Sequence, residues 1–366
     1  MKILFDYNVF CIQKIGGVSK YFLEIFSIIR RHHDTKIVAP IHINDYLSDY
    51  KNKNVFCFFK LKKQYRFTGT ITYFINSIIF KLSVKIFKPD IIHLTYFSKK
   101  IGFSKNCKII ITVYDLIHEI FEDDFKFGYP KKFKKDYISA ADHIICISQN
   151  TKKDLINFYD VQDKKISVVL LGYNQSKKFL KINDKFLEKP YLLYVGSRNN
   201  YKNFKNFIIA YSCSPKLMRD FNIICFGGGM LNDLEKKFLK NLKINECNIK
   251  CISGSDQELN YAYMNARAFI CPSLYEGFGL TILESMNMSC PIVSSNAGSL
   301  VEVGGNAVEY FDPRDIEDIK NKIEKIVYSE TNILKQKKNF PKILKKFSWE
   351  FTAKETMYIY EKLRNK

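Results

Sequence analysis

Short unbroken apolar runs alternate along this chain with longer stretches whose apolar residues recur every third or fourth position. In the first half the runs are KILFDY (2–7), TKIVAP (35–40), VFCFF (55–59), DIIHLTY (90–96), KIIITVYD (108–115), HIICIS (143–148) and KISVVLLG (165–172). The second half has YLLYVGS (191–197), NIICFGGG (222–229), IKCISG (249–254), AFICPS (268–273), PIVSSN (291–296) and NAVEYFD (306–312). Runs this rich in Val and Ile, with little polar alternation, suit parallel strands covered on both faces. The periodic stretches between them predict crossover helices. Strand and helix alternate in both halves, which predicts two doubly wound α/β domains.

A polar, lysine-rich stretch, NQSKKFLKINDKFLEKP (174–190), separates the halves, so the expected domains are 1–180 and 181–345. FSWEFTAKETMYIYEKL (347–363) reads as a final amphipathic helix anchored by Trp349, the chain's one tryptophan. Residues 346–366 are expected to pack back toward the N-terminal domain. In open parallel sheets ligands bind outside the carboxyl ends of strands. Unusual residues gather at such places: Gly16 and Gly17, His93 to Tyr96, Asp115, Ser197 to Lys202, and Glu276. Two such sheets facing each other would leave an interdomain cleft between them.

Composition changes this picture in two ways. The chain has 366 residues, 46% of them hydrophobic, enough for two substantial cores. Its net charge of +21 favours partners that are anionic: phosphorylated small molecules, lipid headgroups or nucleic acid. The lysines are dispersed beside Asn, Ile and Phe and form no nucleic-acid reader motif, which places nucleic-acid binding last among these. The ten cysteines form no CxxC pair and mostly sit inside apolar runs, as expected for buried free thiols in a reducing cytoplasm. Asp6 interrupts the first apolar run, so no signal peptide is read there. No stretch of about 18 consecutive apolar residues marks a membrane span.

Three stretches carry candidate chemistry. In YLLYVGSRNNYKNF (191–204) a strand ends at Gly196, and Arg198 and Lys202 follow at the mouth of a predicted helix. A helix mouth already attracts anions through its free N–H groups, and two cations beside it make a grip for a diphosphate. A solvated basic loop is the alternative. In KIGGVSKYFLEIF (14–26) a glycine pair opens a helix, where backbone could approach a phosphate or sugar; a plain turn fits equally. In LYEGFGLTILESM (274–286), Glu276 and Glu284 would lie about 12 Å apart along a continuous helix. That is too far for a shared metal or a tight acid pair. Gly277 and Gly279 instead predict a loop that turns into a helix near Gly279. Such a junction can hold one extended ligand at several points; a capped helix with solvent-facing glutamates is the plainer reading.

The spacing of the two glutamates in EGFGLTILE resembles the signature of retaining glycosyltransferases of GT-B fold, family four type, as found in bacterial O-antigen and capsule mannosyltransferases. The resemblance runs in order through FDYNVFCIQKIGGVSKYF, PDIIHLTY, ITVYDLIHE, ADHIICISQNTKKDL, YLLYVGSRNNYKNF, ELNYAYMNARAFICPSLYEGFGLTILESM and NAGSLVEVGGNAVEYFDP. It implies a GT-B architecture of two Rossmann-like domains facing a cleft, with the acceptor on the first and the nucleotide sugar on the second. It implies that Arg198 and Lys202 hold the donor diphosphate and that Glu284 binds the ribose. It implies that Glu276 contacts the sugar, with Gly196, Gly277, Phe278, Gly279 and Leu280 completing the donor grip. Gly16 and Gly17 would approach the phosphates from the other domain. The expected reaction moves a hexose, mannose from GDP-mannose in the first instance, to a glycan or lipid-linked acceptor with retention. It proceeds without a metal or other cofactor, because fixed cations and N–H dipoles stabilise the leaving diphosphate.

Departures from the pattern limit what carries over. Tyr114 stands where many relatives have His, Tyr201 where Arg often precedes the Lys, and Ser289 where Gly is common. On the acceptor side His93, Tyr96, Asp115 and His118 are candidates, with structural roles equally open. FEDDF (121–125) reads as a solvated acidic turn rather than a metal motif. TGTITYFINSIIFKLSVKIFKPD (68–90) is an apolar helix carrying Lys81, Lys85 and Lys88; it suits an anionic membrane surface or a buried helix with its lysines in water. A nucleotide-sugar epimerase on the same fold is the other enzyme class to set against transfer.

Overall fold

The structure is a computed structural model that describes residues 1–50, 52–63, 66–97, 107–125, 131–182, 189–198 and 200–365. The chain forms two compact units, Met1–Gly172 with Phe347–Lys366, and Tyr173–Lys346. The division falls at Gly172, earlier than the boundary expected at 180. Residues after it join the second unit: Leu180 N–H donates to Gln257 O (3.0 Å), and Asn260 Nδ2 to Lys178 O (2.8 Å). Residues 183–188 of the expected linker lie outside the described residues.

In the first unit the strands are β1 (Lys2–Phe5), β2 (Asp34–Val38), β3 (Ile41–His42), β4 (Val55–Phe56), β5 (Phe59–Lys60), β6 (Ile91–Leu94), β7 (Lys108–Val113), β8 (His143–Cys146) and β9 (Ile166–Val168). Seven form one sheet in the order β4-β2-β1-β6-β7-β8-β9, with every described pairing parallel. The run expected as one strand at 55–59 is two, because the backbone bends and Phe58 and Phe59 both donate to Pro40 O (2.9 Å each). β3 and β5 then pair as a small separate ribbon.

In the second unit the strands are β10 (Tyr191–Val195), β11 (Asn222–Phe226), β12 (Ile249–Ile252), β13 (Ala268–Cys271), β14 (Ile292–Ser295) and β15 (Glu309–Phe311). They order as β12-β11-β10-β13-β14-β15, all parallel. This is the doubly wound arrangement, in which the chain direction of winding reverses between β10 and β13. Almost every residue of β10, β11, β13 and β14 is buried, which is why these strands read as continuous apolar runs.

The final helix, Trp349–Arg364, belongs to the first unit and packs on the helix Gly17–Ile29. Trp349 and Tyr21 rings lie 6.2 Å apart, and Thr352 Oγ1 donates to Leu170 O (2.8 Å). Tyr360 reaches the floor of the sheet, where its hydroxyl meets His93 Nδ1 at 2.5 Å.

Candidate active site

The second unit carries the candidate donor site where its sheet topology reverses. β10 and β13 are neighbours there, and each ends in a loop bearing a singled-out charge. After β10, the chain passes Gly196 into the short turn Asn200–Lys202 and then the helix Phe204–Ser212. Asn203 caps that helix in the left-handed region (φ 55°), and its Nδ2 and that of Asn206 both donate to Pro313 O (2.7 and 3.0 Å). These bonds fix the turn that carries Lys202. The β13 loop is tied to it directly, as Leu274 N–H donates to Tyr201 O (2.7 Å).

Lys202 Nζ and Glu276 Oε1 meet at 2.6 Å, both side chains mostly buried. Burial alone would push the ammonium's pKa down; the Glu276 carboxylate more than reverses this and holds it raised. The same Glu276 oxygen accepts from Ser273 Oγ at 2.6 Å. Arg198 stands apart from this pair. Its Nε meets Glu235 Oε1 at 2.6 Å, and its terminal nitrogens donate to Gly229 O (3.1 Å) and Met230 O (2.9 Å). Arg198 is therefore a charge braced by Glu235 and two backbone carbonyls. Lys202 is the one of the two that contacts the glutamate loop.

The loop-to-helix junction expected at Gly279 is present. Gly279 (φ +107°) is the N-cap of the helix Leu280–Asn287 and, as a glycine, supplies no side-chain cap of its own. Phe278 beneath it is buried. Glu284 lies one turn into the helix, roughly 6 Å along the axis from Leu280. It is half buried beside Tyr263, whose hydroxyl pKa is pushed up by burial first and by Glu284 second. Ser289, at φ 58°, takes the left-handed conformation that glycine adopts without strain.

Sequence reading missed the brace behind this loop. Ser299 Oγ lies 2.8 Å from Glu276 O and 2.7 Å from Phe278 O, able to donate to either. Gly298 (φ +60°) passes so close that a Cβ there would fall 2.8 Å from Glu276 O. The signal was in plain view: NAGSL follows the β14 run and so lies at the same sheet edge as Glu276. Ser273 was likewise unmarked, and Glu235 was hidden because only its capping role, N-x-x-E from Asn232, is legible in sequence.

The remaining candidates lie in the first unit. Gly16 caps the helix beginning at Gly17, but Gln13 occupies that mouth: its Oε1 accepts Ser19 N–H (3.1 Å), and a Cβ on Gly16 would fall 2.5 Å from that oxygen. His93 is fully buried, with Nε2 on Thr112 Oγ1 (2.8 Å) and Nδ1 on Tyr360. Burial pushes its pKa down to about 3. Both ring nitrogens are engaged inside the core, so of the two roles open for His93, acceptor-side and structural, the structure has the structural one. Tyr114 is also core, edge-on to Tyr21 and Phe22. Tyr96 is half buried, and its carbonyl accepts from Asn8 Nδ2 (3.1 Å). Asp115 Oδ1 accepts Ile117 N–H (3.1 Å), shaping the short helix that carries His118. His118 is half buried, and its pKa is lowered mainly by that burial. This turn rests on a buried pair, Lys134 Nζ to Glu119 Oε2 at 3.0 Å, with Lys134 also donating to Asp115 O (3.0 Å) and Tyr159 Oη to Glu119 Oε1 (2.6 Å).

Asp6, just past β1, is buried and accepts from Thr95 N–H (2.9 Å), the Thr95 hydroxyl and Asn8 Nδ2 (2.5 Å). Burial outweighs these bonds and raises its pKa from 3.8 to about 6. Between those values the folded chain keeps a proton that the unfolded chain releases. The stabilisation from this group is thus full below 3.8 and is lost as pH rises through about 6. Asp6→Asn is expected to flatten that fall in urea-denaturation profiles taken between about pH 4 and 7. Parallel profiles for the two proteins would refute it.

Among the described residues no group of three or more His, Cys, Asp or Glu side chains is placed to hold a metal ion.

Comparison with known proteins places the chain. The family model Glycosyltransferase Family 4 matches residues 15–177, and Glycosyl transferases group 1 matches 175–346. The O-antigen chain mannosyltransferase B of Escherichia coli is 27% identical over 247 residues, 64% of this chain and 64% of that relative's length. A glycosyltransferase crystal structure from Rickettsia africae ESF-5 superposes with a TM-score of 0.73 at 20% identity, over 99% of this chain and 98% of the other. The Anabaena protein HepE, solved with UDP and glucose, superposes with a TM-score of 0.70 at 14% identity, over 99% of this chain and 100% of that one. With consecutive matches to both modules and this doubly wound fold in each unit, the chain belongs to the family-four glycosyltransferases of GT-B fold.

Proposed function

We propose that the chain is a retaining, metal-independent hexosyltransferase that takes a nucleotide sugar as donor and a glycan or lipid-linked glycan as acceptor in surface-polysaccharide synthesis. The observation that carries this reading is the Lys202–Glu276 contact at the point where the second sheet reverses, beside a helix whose N-cap is the glycine Gly279. A departing nucleoside diphosphate develops negative charge. Lys202 and the first N–H groups of the Leu280–Asn287 helix are the groups suited to receive it, and the braced Arg198 adds a fixed positive charge. Glu276 would then hold sugar hydroxyls and Glu284 the ribose. Neither glutamate is assigned as a nucleophile; the leaving diphosphate itself takes the acceptor proton on the same face, which preserves the anomeric configuration. Mannose is the proposed sugar and GDP the proposed carrier, supported by the likeness to an O-antigen mannosyltransferase. All ten cysteines are free thiols, which suits a reducing cytoplasm as the site of action.

A thermal-shift screen against GDP-, UDP-, ADP- and dTDP-sugars tests the reading. A ligand at a hundred times its Kd stabilises the native state by about 2.7 kcal/mol, so one nucleotide series should raise the melting temperature. No shift with any of them would overturn the donor site. With the donor known, the anomeric configuration of the product tests retention, and release of free sugar or an epimer without an acceptor product would favour epimerase chemistry.

A further inference from the structure

The helix Arg66–Phe87 in the first unit packs the wrong way round for a water-soluble surface. Its inward positions are Thr72, Asn76, Phe80 and Phe87, all buried, with Tyr73 and Phe80 touching Tyr7 at 5.9 and 6.0 Å. Asn76 behaves as a strand partner for β3: its Oδ1 accepts Ile41 N–H (3.0 Å) and its Nδ2 donates to Ile41 O (2.8 Å). The outward positions are Ile71, Phe74, Ile78, Leu82 and Ile86, exposed by 44, 64, 44, 52 and 82%. Their spacing of three or four residues puts them in one ridge about 22 Å long. Phe58 and Phe59, each 67% exposed, hang from Pro40, the residue before the Ile41 that Asn76 grips.

An exposed ridge of this size marks a covered surface. Charge says what covers it. The helix contains no Asp or Glu, and exposed Lys81 and Lys85 border the ridge on one side, with Lys88 just past its end. A second copy docking ridge to ridge about a two-fold axis would drive these lysines against apolar side chains and one another. An anionic lipid surface accepts both parts, the ridge among the acyl chains and the ammonium groups among the headgroups. Gly69–Phe87 is long and apolar enough to cross a membrane, with mean hydropathy 1.3. Its inner face, however, is hydrogen-bonded to β3 and packed on Tyr7, so it can meet lipid on one side only. We propose that this ridge, with Phe58 and Phe59, is a membrane-docking surface that lies along an anionic bilayer and enters it to about 5–10 Å. The proposal does not depend on the identity of the donor or on transfer.

Sedimentation of the full chain with vesicles of phosphatidylcholine, with and without phosphatidylglycerol, tests it. The chain should bind the anionic vesicles, and Ile78→Asn with Leu82→Asn should weaken that binding about tenfold or more while leaving the melting temperature and any donor-induced shift unchanged. Lys81→Gln with Lys85→Gln should remove the preference for the anionic vesicles. Phe74→Trp should show a blue-shifted emission on vesicles. The proposal is overturned if the parent chain stays in the supernatant, if the Ile78/Leu82 variant sediments as the parent does, or if the Phe74→Trp emission does not move. It is also overturned if the parent is a dimer without lipid that the same variant converts to monomer, since a second copy would then cover the ridge.

Discussion

Lys202→Ala is expected to lower the turnover of sugar transfer by about 10²–10³-fold, with a smaller change in the donor KM and no change in the far-ultraviolet circular dichroism spectrum. The reasoning rests on when the charge matters. The donor diphosphate is negative before and after the bond breaks, but charge on its bridging oxygen grows as the sugar departs. A cation fixed near that oxygen therefore gains more in the transition state than in the bound ground state. Lysine is a flexible cation that would ordinarily lose rotamer freedom at that moment. Here Glu276, backed by Ser273, holds the ammonium in place beforehand at 2.6 Å. Glu276→Ala should cause a comparable loss by releasing Lys202 as well as removing the proposed sugar contact, and the double variant should be little worse than either single one. Turnover within about threefold of the parent for Lys202→Ala would remove this residue from the chemistry.

Lys134→Ala is expected to cost the first unit about 3–5 kcal/mol of stability. Both partners of the Lys134–Glu119 pair have side chains only 2% exposed, so the carboxylate left behind has no access to water. Tyr159 keeps its hydroxyl on Glu119, and that is one donor for a buried negative charge. The loss should show in denaturant unfolding followed by circular dichroism, as a lowered midpoint for the first-unit transition. Glu119→Leu with Lys134→Met should recover most of it, because replacing both charges by apolar groups of similar size leaves nothing unpaired. A single-variant loss below about 1 kcal/mol would mean that the site admits water in place of the ammonium.

How much of this was legible beforehand depended on sequence distance. The main strands were legible because parallel strands buried on both faces leave an unbroken Val/Ile record. β3 and β5, each of two residues, leave no period to detect. Arg198, Lys202, Glu276 and Glu284 were recognisable one at a time from their places after strands and at a helix mouth. Their partners were not, since Lys202 and Glu276 are 74 positions apart and Arg198 and Glu235 are 37. His93 was left open between an acceptor-side and a structural role for the same reason: the Tyr360 hydroxyl on its Nδ1 arrives 267 positions later. The Arg66–Phe87 helix shows another limit. Periodicity reveals a stripe, but when both sides are apolar only packing says which one is turned to solvent.

The contact between His93 and Tyr360 has a consequence in time. Ribosomes add about 5–20 residues per second, so the second unit's span, 173–346, takes roughly 9 to 35 seconds to translate. That unit is continuous and can complete its core as it emerges. The first unit cannot, because Tyr21, His93 and the carbonyl of Leu170 all wait for side chains of the closing helix. The half of the chain made first is therefore the half finished last.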